Sequence, residues 1–183
     1  MRLYLIRHAR PQVASDVCYG STDVAVTAQE QARVLRSLLP LLPNGVRLFS
    51  SPLQRCAELA RCMVNALGGV ALTFDARLAE MHFGTWELRR WNDIPRAEID
   101  AWANDVVGYR PGGGESVASM AQRVRAVYDD LLLMQDDCIV VCHAGTIRLL
   151  LAAQRGGSPL EMAQYVAQTR HNVAYGDVVI LDC

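Results

Sequence analysis

Short apolar runs in this chain end on side chains that could handle an anion. Leu3-Tyr4-Leu5-Ile6 leads into Arg7-His8, Val46 to Phe49 leads into Ser50-Ser51 with Arg55 just beyond, and Cys138 to Cys142 leads into His143. Guanidinium groups grip phosphate or carboxylate in a bidentate way, and imidazole can serve as acid, base or nucleophile near neutral pH. All eighteen basic side chains are Arg and none is Lys. That excludes a lysine Schiff base, a P-loop G-K-[ST] and a protein-kinase-type lysine. Taken singly, an Arg at a strand end is a solvated charge and a His after an apolar strand is structural. Together, with two of only four histidines involved, they point to a phosphate site. Of the other two, His82 is left as a pocket residue and His171 as structural.

Other chemistries fit less well. A catalytic zinc site needs three protein ligands, and neither H-x-x-x-H nor H-x-H occurs. No metal and no cofactor is therefore expected. Cys142 and His143 are adjacent on an extended run, so their side chains diverge and cannot form a dyad. No G-x-S-x-G is present. The six cysteines contain no C-x-x-C pair, which suits reduced thiols buried as small apolar groups.

The elements that would position these residues can be read along the chain. Met1 to Ile6, Val46 to Ser50, Val70 to Phe74 and Cys138 to Cys142 predict buried strands, and Val173 to Tyr175 with Val178 to Leu181 predict closing strand segments. Thr27-Ala-Gln-Glu30 is a capping box opening a helix to about Leu39. Ser51-Pro52 reads as an N-cap with Pro first in a helix that ends near Leu67, before Gly68-Gly69. Ser116 opens a long amphipathic helix, His143-Ala-Gly-Thr146 another, and Ser158-Pro-Leu-Glu161 is a second capping box. Strands alternating with helices predict a three-layer α/β/α sandwich with a mostly parallel central sheet. In such a sheet ligands bind outside the carboxyl ends of the strands, where helix N-termini also favour anions. Residues 75–115 read as an irregular excursion covering the site, and they hold Trp86, Trp91 and Trp102.

With 183 residues the chain is expected to form one domain. Eighteen basic and nineteen acidic side chains nearly cancel, so a nucleic-acid partner is not expected. No signal peptide and no apolar stretch of about twenty residues is seen, which suggests a cytoplasmic protein without membrane contact. The sequence does not give the oligomeric state.

Several collinear blocks carry a family resemblance. Leu5-Ile6-Arg7-His8-Ala9 resembles the R-H-G signature of the histidine phosphatase superfamily, which includes the phosphoglycerate mutases. The match continues through Tyr19-Gly20-Ser-Thr-Asp23, Ser50-Ser-Pro-Leu-Gln-Arg55, Glu80-Met-His-Phe-Gly84-Thr-Trp86-Glu87, Gly114-Glu115-Ser116 and Val140-Val-Cys-His143-Ala-Gly145. The resemblance implies a phosphomonoesterase acting on a small phosphate ester. His8 would be the nucleophile, Arg7, Arg55 and His143 would clamp the phosphoryl oxygens, and Glu80 would protonate the leaving alkoxide. Tyr19, Gly20, Ser21, Thr22 and Ala144 would line the substrate. Guanidinium groups and a second His can replace a metal in phosphoryl transfer, which is mostly positioning and charge stabilisation.

Departures from the family pattern mark where the backbone could be strained. Ala9 and Ala144 stand where Gly is common, Ala14 where many members carry a phosphate-binding Asn, and Leu88 where a Gly often follows Glu87. Glu87 itself is expected to be structural. Within the superfamily, Cys18-Tyr19-Gly20-Ser-Thr-Asp23-Val24 resembles the α-ribazole phosphatase branch, implying α-ribazole 5′-phosphate as substrate. A broad sugar-phosphate phosphatase, a phosphoglycerate-type mutase and a non-catalytic phospho-ligand module remain as alternatives.

Overall fold

The computed structural model describes residues 1–170 and 173–183. Among the described residues five strands form one sheet: β1 (Arg2–Arg7), β2 (Arg47–Ser50), β3 (Leu72–Phe74), β4 (Cys138–Cys142) and β5 (Val178–Asp182). Their order is β3-β2-β4-β1-β5, with β5 antiparallel to β1 and every other pair parallel. All five residues of β4 are buried, as a central parallel strand covered on both faces requires. Alternation along β1 divides the core. Leu3 and Leu5 pack with α4 (Val117–Leu133), α5 (Ala144–Gln154) and α6 (Pro159–Gln168), while Tyr4 and Ile6 pack with α1 (Ala28–Leu38) and α2 (Gln54–Ala66). The α/β/α sandwich read from the sequence is thus the observed architecture.

This topology makes a crevice at one place. β1 and β4 lie side by side with Arg7 opposite Cys142, but the helix after β1 packs on one face and the helix after β4 on the other. The carboxyl ends of these neighbours therefore diverge into a cleft, the switch point at which open α/β sheets bind ligands.

Local capping follows the sequence unevenly. Thr27 Oγ1 accepts from the Glu30 amide at 3.1 Å, but the Glu30 carboxylate turns to Arg33 instead of closing the box. Ser158 and Glu161 form the full reciprocal box. The Ser51-Pro52 expectation is corrected: α2 begins at Gln54 with Leu53 as N-cap; Ser51 Oγ accepts from the Leu53 amide at 3.3 Å, before the helix starts, and the Asp23 carboxylate accepts from Gln54 N at 2.6 Å. Residues 173–175 do not form a strand; Ala174 N donates to the Asp177 carboxylate in a turn leading into β5.

The excursion over 75–115 contains one helix that the sequence did not announce, α3 (Arg96–Asn104), which buries no residue fully and so carries little apolar periodicity. Its Glu98 accepts from the buried Trp86 Nε1 at 2.6 Å. All six cysteines are free. Among the described residues no helix is long and apolar enough to cross a membrane.

Candidate active site

The crevice brings the two strand-end histidines together. His8 N donates to Cys142 O at 3.1 Å, which sets His8 beside His143 with ring centroids 5.1 Å apart. Both are buried. His8 Nδ1 lies 2.8 Å from Ala9 O. A carbonyl can only accept, so Nδ1 carries the proton and the Nε2 lone pair is left free. Burial pushes the His8 pKa well below its ordinary value, and the Arg55 and Arg7 charges push it the same way. His143 is also held well below, by burial first and then by His8, Arg55, Arg123 and Arg7. Its Nε2 sits 2.8 Å from Ser51 Oγ. The Cys56 Sγ is 3.5 Å from the same nitrogen, and burial pushes its thiol pKa up, so it stays protonated.

Two guanidinium groups face this pair. Arg7, the last residue of β1, donates from Nη1 to Val173 O at 2.6 Å and stacks its Cζ 3.7 Å from the Tyr175 ring centroid. Arg55, in the first turn of α2, is fully buried and donates from Nη1 to Thr22 O at 2.9 Å and from Nη2 to Gly20 O. Neither Arg forms an ion pair among the described residues. The Nε of each is buried with no acceptor among the described residues. Unpaired buried donors of this kind are costly unless a ligand completes them.

The acidic members of the resemblance take different positions. Glu80 Oε2 accepts from Gly145 N at 3.1 Å and Oε1 from Met81 N at 3.0 Å. A Cβ on Gly145 would fall 2.4 Å from Glu80 Oε1, so only glycine lets this carboxylate reach the start of α5. Arg123, paired with Glu115, donates to the carbonyls of Arg77, Ala79 and Glu80 and so fixes the segment that carries Glu80.

Glu87 is the anchor of the 20–22 loop. Its carboxylate accepts from the amides of Gly20, Ser21, Thr22 and Phe83 at 3.2, 2.9, 2.8 and 3.0 Å, and from Ser21 Oγ at 3.1 Å. Burial pushes its pKa up, but these donors, Thr22 and Phe83 foremost, outweigh it and hold the pKa at about 2. The amides of Gly20, Ser21 and Thr22 are therefore turned to Glu87 and not toward a ligand, while the Gly20 and Thr22 carbonyls orient Arg55.

A cavity of about 220 Å³ is lined by Arg7, His8, Tyr19, Arg55 and Glu80 together with Tyr175, Trp91, Ser15 and Val17. Ala144, half-buried, begins α5 next to His143 at the helix N-terminus. His82 is exposed and outside this cavity; its carbonyl accepts from Glu115 N. His171 lies outside the described residues.

Sequence reading missed Tyr175 and Ser15, whereas Trp91 belongs to the excursion expected to cover the site. Tyr175 arrives because β5 runs antiparallel to β1, so the turn before β5 sits at the exit of β1, with Arg7 N bonded to Asp177 O. Its hydroxyl bonds that of Tyr19 at 2.7 Å. Its one local signal would have been a polar turn before an edge strand, which does not specify a site.

Of the three departures at glycine positions, only one has a backbone cost. Leu88 adopts φ +62°, whereas Ala9 and Ala144 do not enter the left-handed region.

A cleft of two neutral histidines and two unpaired arginines at a sheet switch point suits phosphoryl transfer, and the family model for the histidine phosphatase superfamily (branch 1) matches residues 3–180. The chain belongs to that superfamily. With membership comes phosphatase chemistry on small phosphate esters through a phosphohistidine. The chain is 33% identical over 163 residues to an adenosylcobalamin/α-ribazole phosphatase of Escherichia coli, covering 83% of this chain and 78% of the relative. It is 30% identical over 175 residues to a glucosyl-3-phosphoglycerate phosphatase of Mycolicibacterium vanbaalenii, covering 85% and 74%. The crystal structure of an α-ribazole phosphatase from Shigella flexneri superposes with a TM-score of 0.82 at 29% identity, covering all of this chain and 90% of the other.

Proposed function

We propose that this histidine phosphatase uses His8 Nε2 as its nucleophile and hydrolyses α-ribazole 5′-phosphate, the phosphomonoester of a dimethylbenzimidazole riboside. The supporting observation is the cradle itself: a neutral imidazole with its free nitrogen beside two buried guanidinium Nε donors that lack acceptors. In the first step Nε2 attacks phosphorus, the ester P–O bond breaks, and protonated Glu80 gives its proton to the departing alkoxide. Arg7 and Arg55 hold the non-bridging oxygens, with the Ala144 amide at the N-terminus of α5. His143 joins them when a phosphoryl oxygen replaces Ser51 Oγ at its Nε2. In the second step a water attacks the phosphoryl group and passes a proton to the Glu80 carboxylate. The N–P bond breaks and inorganic phosphate leaves. The residues present supply every acid, base and cation these steps need, so no metal is invoked.

In this reading residues 1–183 act as one domain, and the excursion covers the cradle through Trp91. The substrate rests on the likeness to α-ribazole phosphatases in sequence and structure. The test is phosphate release in EDTA from α-ribazole 5′-phosphate, glucosyl-3-phosphoglycerate, 3-phosphoglycerate and phenyl phosphate. A kcat/KM advantage of about 100-fold for the first, roughly 2.7 kcal/mol of transition-state discrimination, is expected. Equal slow rates on all four would sink the substrate assignment. Full activity in His8→Ala would sink the assignment of the nucleophile.

A further inference from the structure

Next to the phosphoryl cradle lies a second cavity of about 350 Å³ whose lining exceeds what the phosphoryl chemistry requires. It shares Tyr19 and Glu80 with the cradle, so an alcohol leaving phosphorus toward Glu80 passes into it. Its wall is mostly apolar, with Phe83, Met120 and Val166 prominent. Apart from Glu80 and the Tyr19 hydroxyl already bonded to Tyr175, its notable polar side chains are both donors, Trp102 and Arg148.

Both donors are under-used. Trp102 Nε1 and Arg148 Nε are buried and have no acceptor among the described residues. Arg148 Nη2 donates to Val166 O and Thr169 O, at 2.5 and 2.6 Å, at the carboxyl end of α6. Its guanidinium forms no ion pair among the described residues. Trp102 is held in place before any ligand arrives, stacked on Trp91 at 6.2 Å and 6° and met edge-on by Phe83 at 6.1 Å. A buried donor without an acceptor weakens the fold unless a bound group supplies the lone pair. The chemistry that fits is apolar, with an acceptor and no donor. A hexose fits poorly, because its hydroxyl hydrogens would meet an apolar wall.

Building on the α-ribazole reading above, we propose that this cavity is the base subsite, in which the single lone pair of the dimethylbenzimidazole imine nitrogen accepts from one of the two donors, Trp102 Nε1 or Arg148 Nε. That nitrogen carries a lone pair and no hydrogen, and the two methyl groups and fused ring meet the apolar wall. Specificity then comes from side chains on α3 and α5, away from the reacting atoms.

The test compares kcat/KM of the unmodified enzyme for α-ribazole 5′-phosphate and for its dimethylindole counterpart, in which C–H replaces the imine nitrogen. The ester, the ribose and the ring shape are the same in both. A preference of roughly tenfold or more for the benzimidazole is expected, because a site built to donate rejects a ligand that leaves its donors unpaired. One of Trp102→Phe and Arg148→Met should shrink that ratio toward one, and a ratio unchanged in both would overturn the subsite assignment. Equal rates on the two ribosides, both still well above phenyl phosphate, would overturn the base subsite while leaving the proposed function standing. No advantage of either riboside over phenyl phosphate would overturn the proposed function itself. An advantage for 3-phosphoglycerate that disappears in Arg148→Met would show that Arg148 reads a carboxylate, and would overturn the subsite assignment.

Discussion

Removing the Glu87 carboxylate should damage catalysis through Arg55, a residue it does not touch. Glu87 accepts from four backbone amides and one hydroxyl, and three of those amides belong to residues 20–22. The carbonyls of Gly20 and Thr22, in the same loop, hold the Arg55 guanidinium. The stability at stake can be reached in two ways. The drop in pKa from 4.5 to about 2 would be worth about 3.4 kcal/mol at full weight, and screening at this half-buried carboxylate reduces it to about 2 kcal/mol. Hydrogen bonds to a charged group contribute about 1.5–3 kcal/mol each, but neighbouring ones do not add, so about 3 kcal/mol is a reasonable ceiling. Glu87→Ala is therefore expected to cost about 2–3 kcal/mol in urea unfolding at pH 7. If the loop then lets Arg55 drift by about 1 Å, kcat should fall roughly 100-fold. A double-mutant cycle with Arg55→Ala, read by single-turnover phosphate release, separates positioning from general damage. With Arg55 absent, Glu87→Ala should have almost no further effect on kcat. Losses that multiply fully in the double variant would refute the idea that Glu87 acts through Arg55.

Other outcomes follow from the same geometry. His8 and His143 are held well below their ordinary value of 6.5 in the folded protein, so just below that pH the unfolded chain binds protons that the folded chain does not. Stability should rise with pH up to about 6.5 and fall on acidification, by up to about 1.4 kcal/mol per pH unit for each histidine; urea midpoints from about pH 5 to 7.5 that stay level, or that His8→Asn and His143→Asn do not flatten, would contradict this. Gly145→Ala gives α5 a better helix former, worth about 1 kcal/mol, yet its Cβ would fall 2.4 Å from Glu80 Oε1. Its Tm should hold while kcat drops roughly 100-fold, and a fully active variant would remove Glu80 from the proton-transfer role. Leu88 is exposed at φ +62°, a conformation costing a side-chain-bearing residue about 1–2 kcal/mol. After allowance for the extra freedom of glycine in the unfolded chain, Leu88→Gly should stabilise by about 1 kcal/mol; a loss of stability in urea unfolding would count against strain at this position.

The parts of this protein that depend on near neighbours were legible along the chain. Apolar runs at Leu3 to Ile6 and Cys138 to Cys142 became β1 and β4, since a strand buried on both faces needs little beyond its own side chains. The Ser158–Glu161 box closed as read, because both partners lie within one turn. The order of Arg7-His8, Arg55, Glu80 and His143 along the chain was enough to suggest phosphoryl chemistry. Where each of these side chains is used depends on the assembled fold. Ser51 is a good N-cap on local grounds, yet it bonds to His143, 92 residues away in the chain. Glu87 looked structural, and its role passes through a loop 65 to 67 residues earlier. Tyr175 reaches Arg7 because an antiparallel edge strand begins where β1 ends. Trp102 and Arg148 form one cavity wall from two elements, α3 and α5, that share no local pattern. Propensity and capping are set within a few residues, whereas a donor's acceptor, a charge's burial and the shape of a cavity are set by which distant segments the sheet order brings together.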